Sequence, residues 1–115
     1  MDRLAFSFLG LILMMQLATS AYADSVKLAW DPATSSGVAG YRVYRSDQQG
    51  VYTSSPISGS TLLTGTSWTD SNVTSNHTYY YVVRTVSTNS IESTNSNEAS
   101  VTPFFAAWVD ADFMP

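Results

Sequence analysis

Nucleophilic catalysis needs a base and an orienting group beside the nucleophile, and side chains able to supply them are scarce in this 115-residue chain. His77 is the only histidine. It lies between Asn76 and Thr78 in a run of turn-forming residues, which marks it as a solvated loop residue rather than a base or a metal ligand. Cysteine is absent, which removes thiolate chemistry and disulfide stapling together. Asp110 and Asp112 have the D-x-D spacing of a calcium loop but lack the rest of its ligands. Asn72-Val73-Thr74 and Asn76-His77-Thr78 match the glycosylation acceptor pattern, which matters only in a eukaryotic host. No catalytic constellation can be assembled, and neither a cofactor nor a metal is implied. What remains is the chemistry of contact. Arginine and tyrosine concentrate binding energy at interfaces, and they recur here in alternating segments, Arg42 and Tyr44 in one, Tyr80 and Arg84 in another.

Composition narrows the partner. Nine acidic residues against five basic ones give a net charge of −4. That balance offers no electrostatic reason to bind nucleic acid or anionic lipid. At the N-terminus Arg3 precedes an apolar run from Leu4 to Leu17, and Ala21-Tyr22-Ala23 supplies a small-x-small cleavage pattern. This reads as a secretory signal peptide over residues 1–23, although Asp2 departs from the usual positive end. The run is shorter than the ~20 apolar residues that cross a bilayer. Export to the periplasm or out of the cell follows, with a mature chain from Asp24 and no membrane span after cleavage. Residues 24–103 make one domain, and residues 104–115 form an apolar tail.

The elements that would position the polar residues are strands throughout. Val26, Leu28 and Trp30 alternate with Ser25, Lys27 and Ala29, and Asp31-Pro32 ends that run because proline cannot donate to a ladder. Tyr41 to Arg45 alternates again, with Tyr41 and Val43 on one face and Arg42 and Tyr44 on the other. Val51-Tyr52 and Thr61-Leu62-Leu63 mark short edge pieces. Ser67 to Asp70 is a brief strand carrying Trp68. Ser71 to Asn76 is a turn in which Val73 tucks inward and Asn76 suits a left-handed backbone. Tyr79 to Val86 is apolar on both faces, as a middle strand is. Asn89 to Asn95 reads as a polar loop and Asn97 to Val101 as the last strand. Short strands with regular turns between them indicate an antiparallel β-sandwich.

These residues resemble the fibronectin type III family, in its secreted bacterial form. Leu28-Ala29-Trp30-Asp31-Pro32 is similar to its second strand, and Gly40-Tyr41-Arg42-Val43-Tyr44 to its third. Trp68-Thr69-Asp70, Val73 and Thr78-Tyr79 are similar to its fifth strand and tyrosine corner, and Ser96 to Pro103 to its closing strand. The resemblance covers about residues 25–103 and implies an all-β, immunoglobulin-like sandwich of seven strands. It places Trp30, Tyr41, Val43, Trp68, Tyr79, Tyr81 and Val83 in the core, with the Tyr79 hydroxyl turned back onto the Ser71–Asn76 turn. If its third and sixth strands pair here as in the family, Arg42, Tyr44, Tyr80, Val82 and Arg84 share the solvent face of one sheet. Glu98 on the neighbouring strand is placed to satisfy Arg84. That face is either a partner site or a cross-strand ladder that stiffens the sheet.

The chain departs from the family in one respect. Only Asp24 and Ser25 would precede Val26 after cleavage, so the first strand is missing or replaced, and an apolar edge at Val26–Trp30 is left bare or covered by another segment. The tail, with Phe104, Phe105, Trp108 and Phe113, is a candidate cover or docking surface. The function expected is a secreted, non-catalytic binding or spacer module that contacts a protein, as in adhesion. The alternative is a carbohydrate-binding accessory to a polysaccharide-degrading enzyme.

Overall fold

The computed structural model describes residues 15–17 and 25–103. It holds six strands, β1 (Met15–Leu17), β2 (Val26–Trp30), β3 (Val38–Ser46), β4 (Ser67–Asp70), β5 (Tyr79–Ser87) and β6 (Ala99–Val101). They form two antiparallel sheets, one in the order β1-β2-β4 and the other β3-β5-β6. Leu63 bridges to Tyr41 and Ile57 donates its N–H to the Val43 carbonyl at 2.8 Å, so the outer edge of β3 is covered without a further strand among the described residues. Val51 and Tyr52 form no strand.

The core follows from the alternation in the sequence. Val26, Leu28 and Trp30 project from β2 against Tyr41 and Val43 of β3 and Tyr79, Tyr81 and Val83 of β5, with Val73 closing the cluster from its turn. Trp68 packs against this core half-buried. Trp30 meets Tyr41 edge-on with centroids 5.6 Å apart, a favoured aromatic geometry. The tyrosine corner is present, since the Thr74 N–H donates to the Tyr79 hydroxyl at 2.8 Å. Asn76 is left-handed with φ of 66°, as its short polar side chain allows.

Three features differ from the sequence reading. First, β3 begins at Val38, ahead of Tyr41, through a register shift between Val38 and Gly40. Second, the segment read as a loop over Asn89 to Asn95 lies in part along β5. Glu92 bridges to Val86, Ser93 N–H donates to the Thr85 carbonyl, and Ser96 N–H donates to the Val83 carbonyl. The hydroxyls of Ser93 and Ser96 accept from the N–H groups of Thr85 and Val83 at 2.9 and 2.8 Å, where a regular strand would offer carbonyls. Third, the outer edge of β2 is paired with β1, Met15 opposite Trp30 and Leu17 opposite Leu28. This strand falls inside the segment read as a leader. The tail with Phe104, Phe105, Trp108 and Phe113 lies outside the described residues.

Candidate functional site: the outer face of the larger sheet

Register fixes the outer face. Arg42 stands opposite Arg84 and Tyr44 opposite Val82, while Tyr80 stands opposite Ser46 on one side and Ser100 on the other. These are the five positions the sequence assigned to one face, and the structure brings them together there. It corrects their exposure. Tyr44 and Val82 are only 1% and 2% exposed, so they are not part of a solvent surface, while Arg42, Tyr80 and Arg84 are half-buried.

Glu92, on the segment beside β5, joins three of these side chains. Its Oε2 accepts from Arg42 Nη1 at 2.7 Å and from the Tyr44 hydroxyl at 2.6 Å, and its Oε1 accepts from Arg84 Nη1 at 3.0 Å. Arg84 also donates through Nε to Asn95 Oδ1 at 2.7 Å, and its guanidinium lies 4.0 Å above the Tyr44 ring. Glu98 does not serve Arg84. It accepts instead from the Tyr52 hydroxyl at 2.5 Å and the Gly50 N–H at 2.8 Å. Two arginines directly opposed across antiparallel strands repel unless an acid lies between them, but the sequence does not say which acid that is.

The electrostatics agree with this geometry. Burial alone would raise the Glu92 carboxyl, but hydrogen bonds from Tyr44, Arg42 and Arg84 outweigh it and hold the group below the usual carboxylate range. Burial, then the bond to Glu92, pushes the Tyr44 phenol up. The face is therefore a network of charges paired with one another, in which the buried Nε of Arg42 alone has no hydrogen-bond partner among the described residues.

A second polar cluster lies deeper. Asp70 is buried, and its Oδ2 accepts from the Tyr81 hydroxyl at 2.7 Å and from Arg45 Nη1 at 2.9 Å. Its Oδ1 accepts from the Asn72 N–H. Arg45 also donates to the Asn72 carbonyl at 3.0 Å and lies 5.0 Å over the Tyr79 ring, so this triad ties β3, β4 and β5 together at the tyrosine corner. His77 Nε2 lies 3.1 Å from Asp47 Oδ1 on the surface. Among the described residues no three His, Asp or Glu side chains converge as metal ligands. Asp110 and Asp112 lie outside them.

No protein-family model matches the sequence, and none of the curated proteins does. Solved structures do. A fibronectin type III domain from a human protein matches with a TM-score of 0.64 at 22% identity, over 82% of this chain and 74% of that one. A pectate lyase from Erwinia chrysanthemi, solved with tetragalacturonic acid, matches with a TM-score of 0.59 at 22% identity, over 79% of this chain but 28% of its own. At these identities the likeness is one of fold. A fibronectin type III-like protein from Clostridium thermocellum is nearer in sequence, at 36% identity and a TM-score of 0.61, over 80% of this chain and 86% of that one. With two such sheets, a tyrosine corner, and this degree of identity over four-fifths or more of both chains, the protein belongs to the fibronectin type III family.

Proposed function

We propose that the chain is a non-catalytic contact module, exported from the cytoplasm, that meets another protein through the outer face of the β3-β5-β6 sheet. The observation that carries this reading is the convergence of Arg42, Tyr44 and Arg84 on Glu92. Side chains held in one arrangement by their own partners lose little freedom when a second surface docks on them, which lowers the cost of association. Tyr80 lies beside that network and Ile91, 52% exposed, sits on the hairpin next to it. Together they offer a rim of arginine and an apolar anchor, the composition of a protein-binding patch.

The second reading is a polysaccharide-binding accessory. It is favoured by the match to a part of the pectate lyase, and by a match to 12% of a β-1,2-glucanase from Parabacteroides distasonis at 23% identity and a TM-score of 0.61. Sugar stacking needs an open aromatic face, however, and Tyr44 is covered. Two measurements separate the readings. Electrophoresis of the exported protein through gels containing polygalacturonate or β-1,2-glucan tests the second, and we expect no retardation. A photo-crosslinking residue at Ile91 or Tyr80 in the producing cells tests the first, and we expect a discrete protein adduct. Retardation that Tyr80→Ser removes, with no adduct at either position, would replace the protein-contact reading with the carbohydrate one.

A further inference from the structure

The outer edge of β2 carries a pairing surface that is separate from the contact face proposed above but rests on the same reading of residues 1–23 as a leader removed on export. Trp30 donates its N–H to the Thr66 carbonyl on the β4 side at 3.0 Å. Along a strand successive residues direct their N–H and C=O to opposite edges. Val26, Leu28 and Trp30 therefore face β4, and Lys27 and Ala29 face the other edge, where β1 lies. Asp31 continues that set, because a residue before proline is held extended. β1 lies within residues 1–23, so removal of the leader after Ala23 takes it away and leaves the main-chain groups of Lys27, Ala29 and Asp31 unpaired.

We infer that a second copy of this chain takes that edge, β2 against β2, antiparallel about a two-fold axis at Ala29. The sequence Lys27-Leu28-Ala29-Trp30-Asp31 is charge-antisymmetric about its centre. Antiparallel self-pairing about Ala29 sets Lys27 opposite Asp31 of the second copy, and this happens twice. It sets Ala29 on Ala29, where a small side chain permits close approach. Inward it sets Leu28 against Trp30 of the second copy, so the two cores meet at the junction. Neighbouring registers lack these features. Centring on Lys27 opposes two like charges, and centring on Leu28 pairs Lys27 with Ala29 and forms no ion pair. Lys27 is exposed and Ala29 half-buried, so neither side chain is sealed in the core. The result is one sheet in the order β4-β2-β2-β4. Because the contact is isologous it consumes both edges and stops at two copies, where an open edge would go on adding strands.

The test produces the full chain in a secreting bacterium, reads the N-terminus of the exported protein by mass spectrometry and its molar mass by sedimentation equilibrium. The result expected is an N-terminus at Asp24 and a dimer. Lys27→Asp should weaken the dimer at least tenfold and Lys27→Gln by less, while Lys27→Asp combined with Asp31→Lys should restore it. Far-UV circular dichroism checks that each variant is folded, and the restored double variant serves as a further control. Four results overturn the inference: a monomeric exported protein, an N-terminus that retains Met15–Leu17, open-ended oligomers, or a dimer indifferent to Lys27→Asp. The monomer would return the edge to residues 104–115 or to water.

Discussion

Arg42 and Arg84 occupy directly opposed positions on β3 and β5, and the free energy of that arrangement rests on Glu92. Replacing Glu92 by Gln keeps the shape but removes the charge that both guanidiniums and the Tyr44 hydroxyl answer to. The expected loss is about 1–3 kcal/mol, the usual cost of leaving such groups unsatisfied, read as a lower urea midpoint. The pH dependence has a definite sign. Because the folded Glu92 carboxyl titrates below its unfolded value, its contribution is present above about pH 4.3 and is lost as pH falls through the folded value. The melting temperature of the wild type should therefore fall more steeply in acid than that of Glu92→Gln. An equal slope for the two proteins would contradict this assignment. The deeper triad should be less forgiving. Asp70→Asn leaves Arg45 without its buried counter-charge, and the expected loss is about 3–5 kcal/mol. The alkaline limit follows from Tyr81, whose phenol is raised by burial and then by its bond to Asp70. A raised folded value means stability that is complete below the unfolded value of about 10 and declines above it. Phenolate absorbance from Tyr81 should thus appear only with unfolding. Of these residues, Tyr79, Tyr81 and the outward turn of the two arginines were legible in the sequence, while the sharing of one face by the arginines rested on the family resemblance. Glu92 was not legible, because nothing in the polar run around it shows that the run turns back along β5.

At the scale of elements, β2 formed where alternation predicted it, and β5 where a run apolar on both faces predicted a middle strand. The departures have local causes. The start of β3 was masked by Gly40, a poor strand former used here for closeness. A Cβ at this position would lie 2.7 Å from the Leu63 carbonyl oxygen and 2.8 Å from Leu62 Cβ. Gly40→Ala must therefore push β3 away from the segment that covers its edge, at an expected cost of about 1–3 kcal/mol. Loss of amide protection at Tyr41, whose N–H bonds Leu63, would check it. The run Glu92 to Ser96 escaped a strand reading because it lacks apolar alternation and pairs through hydroxyls. Ser93→Ala and Ser96→Ala remove acceptors for the Thr85 and Val83 N–H groups. Each should speed exchange of that one amide and leave the other unchanged, which a general loosening of the sheet would not do. Tyr44 is covered by the Arg84 guanidinium 4.0 Å above its ring and bonded to Glu92 from this strip. A period of two correctly turned Tyr44 and Val82 outward, but it carries no information about what is laid over them.

For the whole molecule, two sheets of unequal security make up the sandwich. The β3-β5-β6 sheet is guarded on one edge by Ile57 and Leu63 and is tied across its outer face by Glu92. The β1-β2-β4 sheet owes the cover of one edge to a strand that leader removal would take away. If the leader is removed on export as proposed, the state of the β2 edge decides whether the domain stands alone. The most direct measurement is amide hydrogen exchange of Lys27 and Ala29 in exported protein with its N-terminus at Asp24, recorded over a range of protein concentrations. Pairing of β2 with β2 predicts that both amides are protected and that their protection rises with concentration, while Trp30, bonded to Thr66 within one chain, stays protected throughout. Rapid exchange at Lys27 and Ala29 at every concentration, or protection independent of concentration, would contradict it.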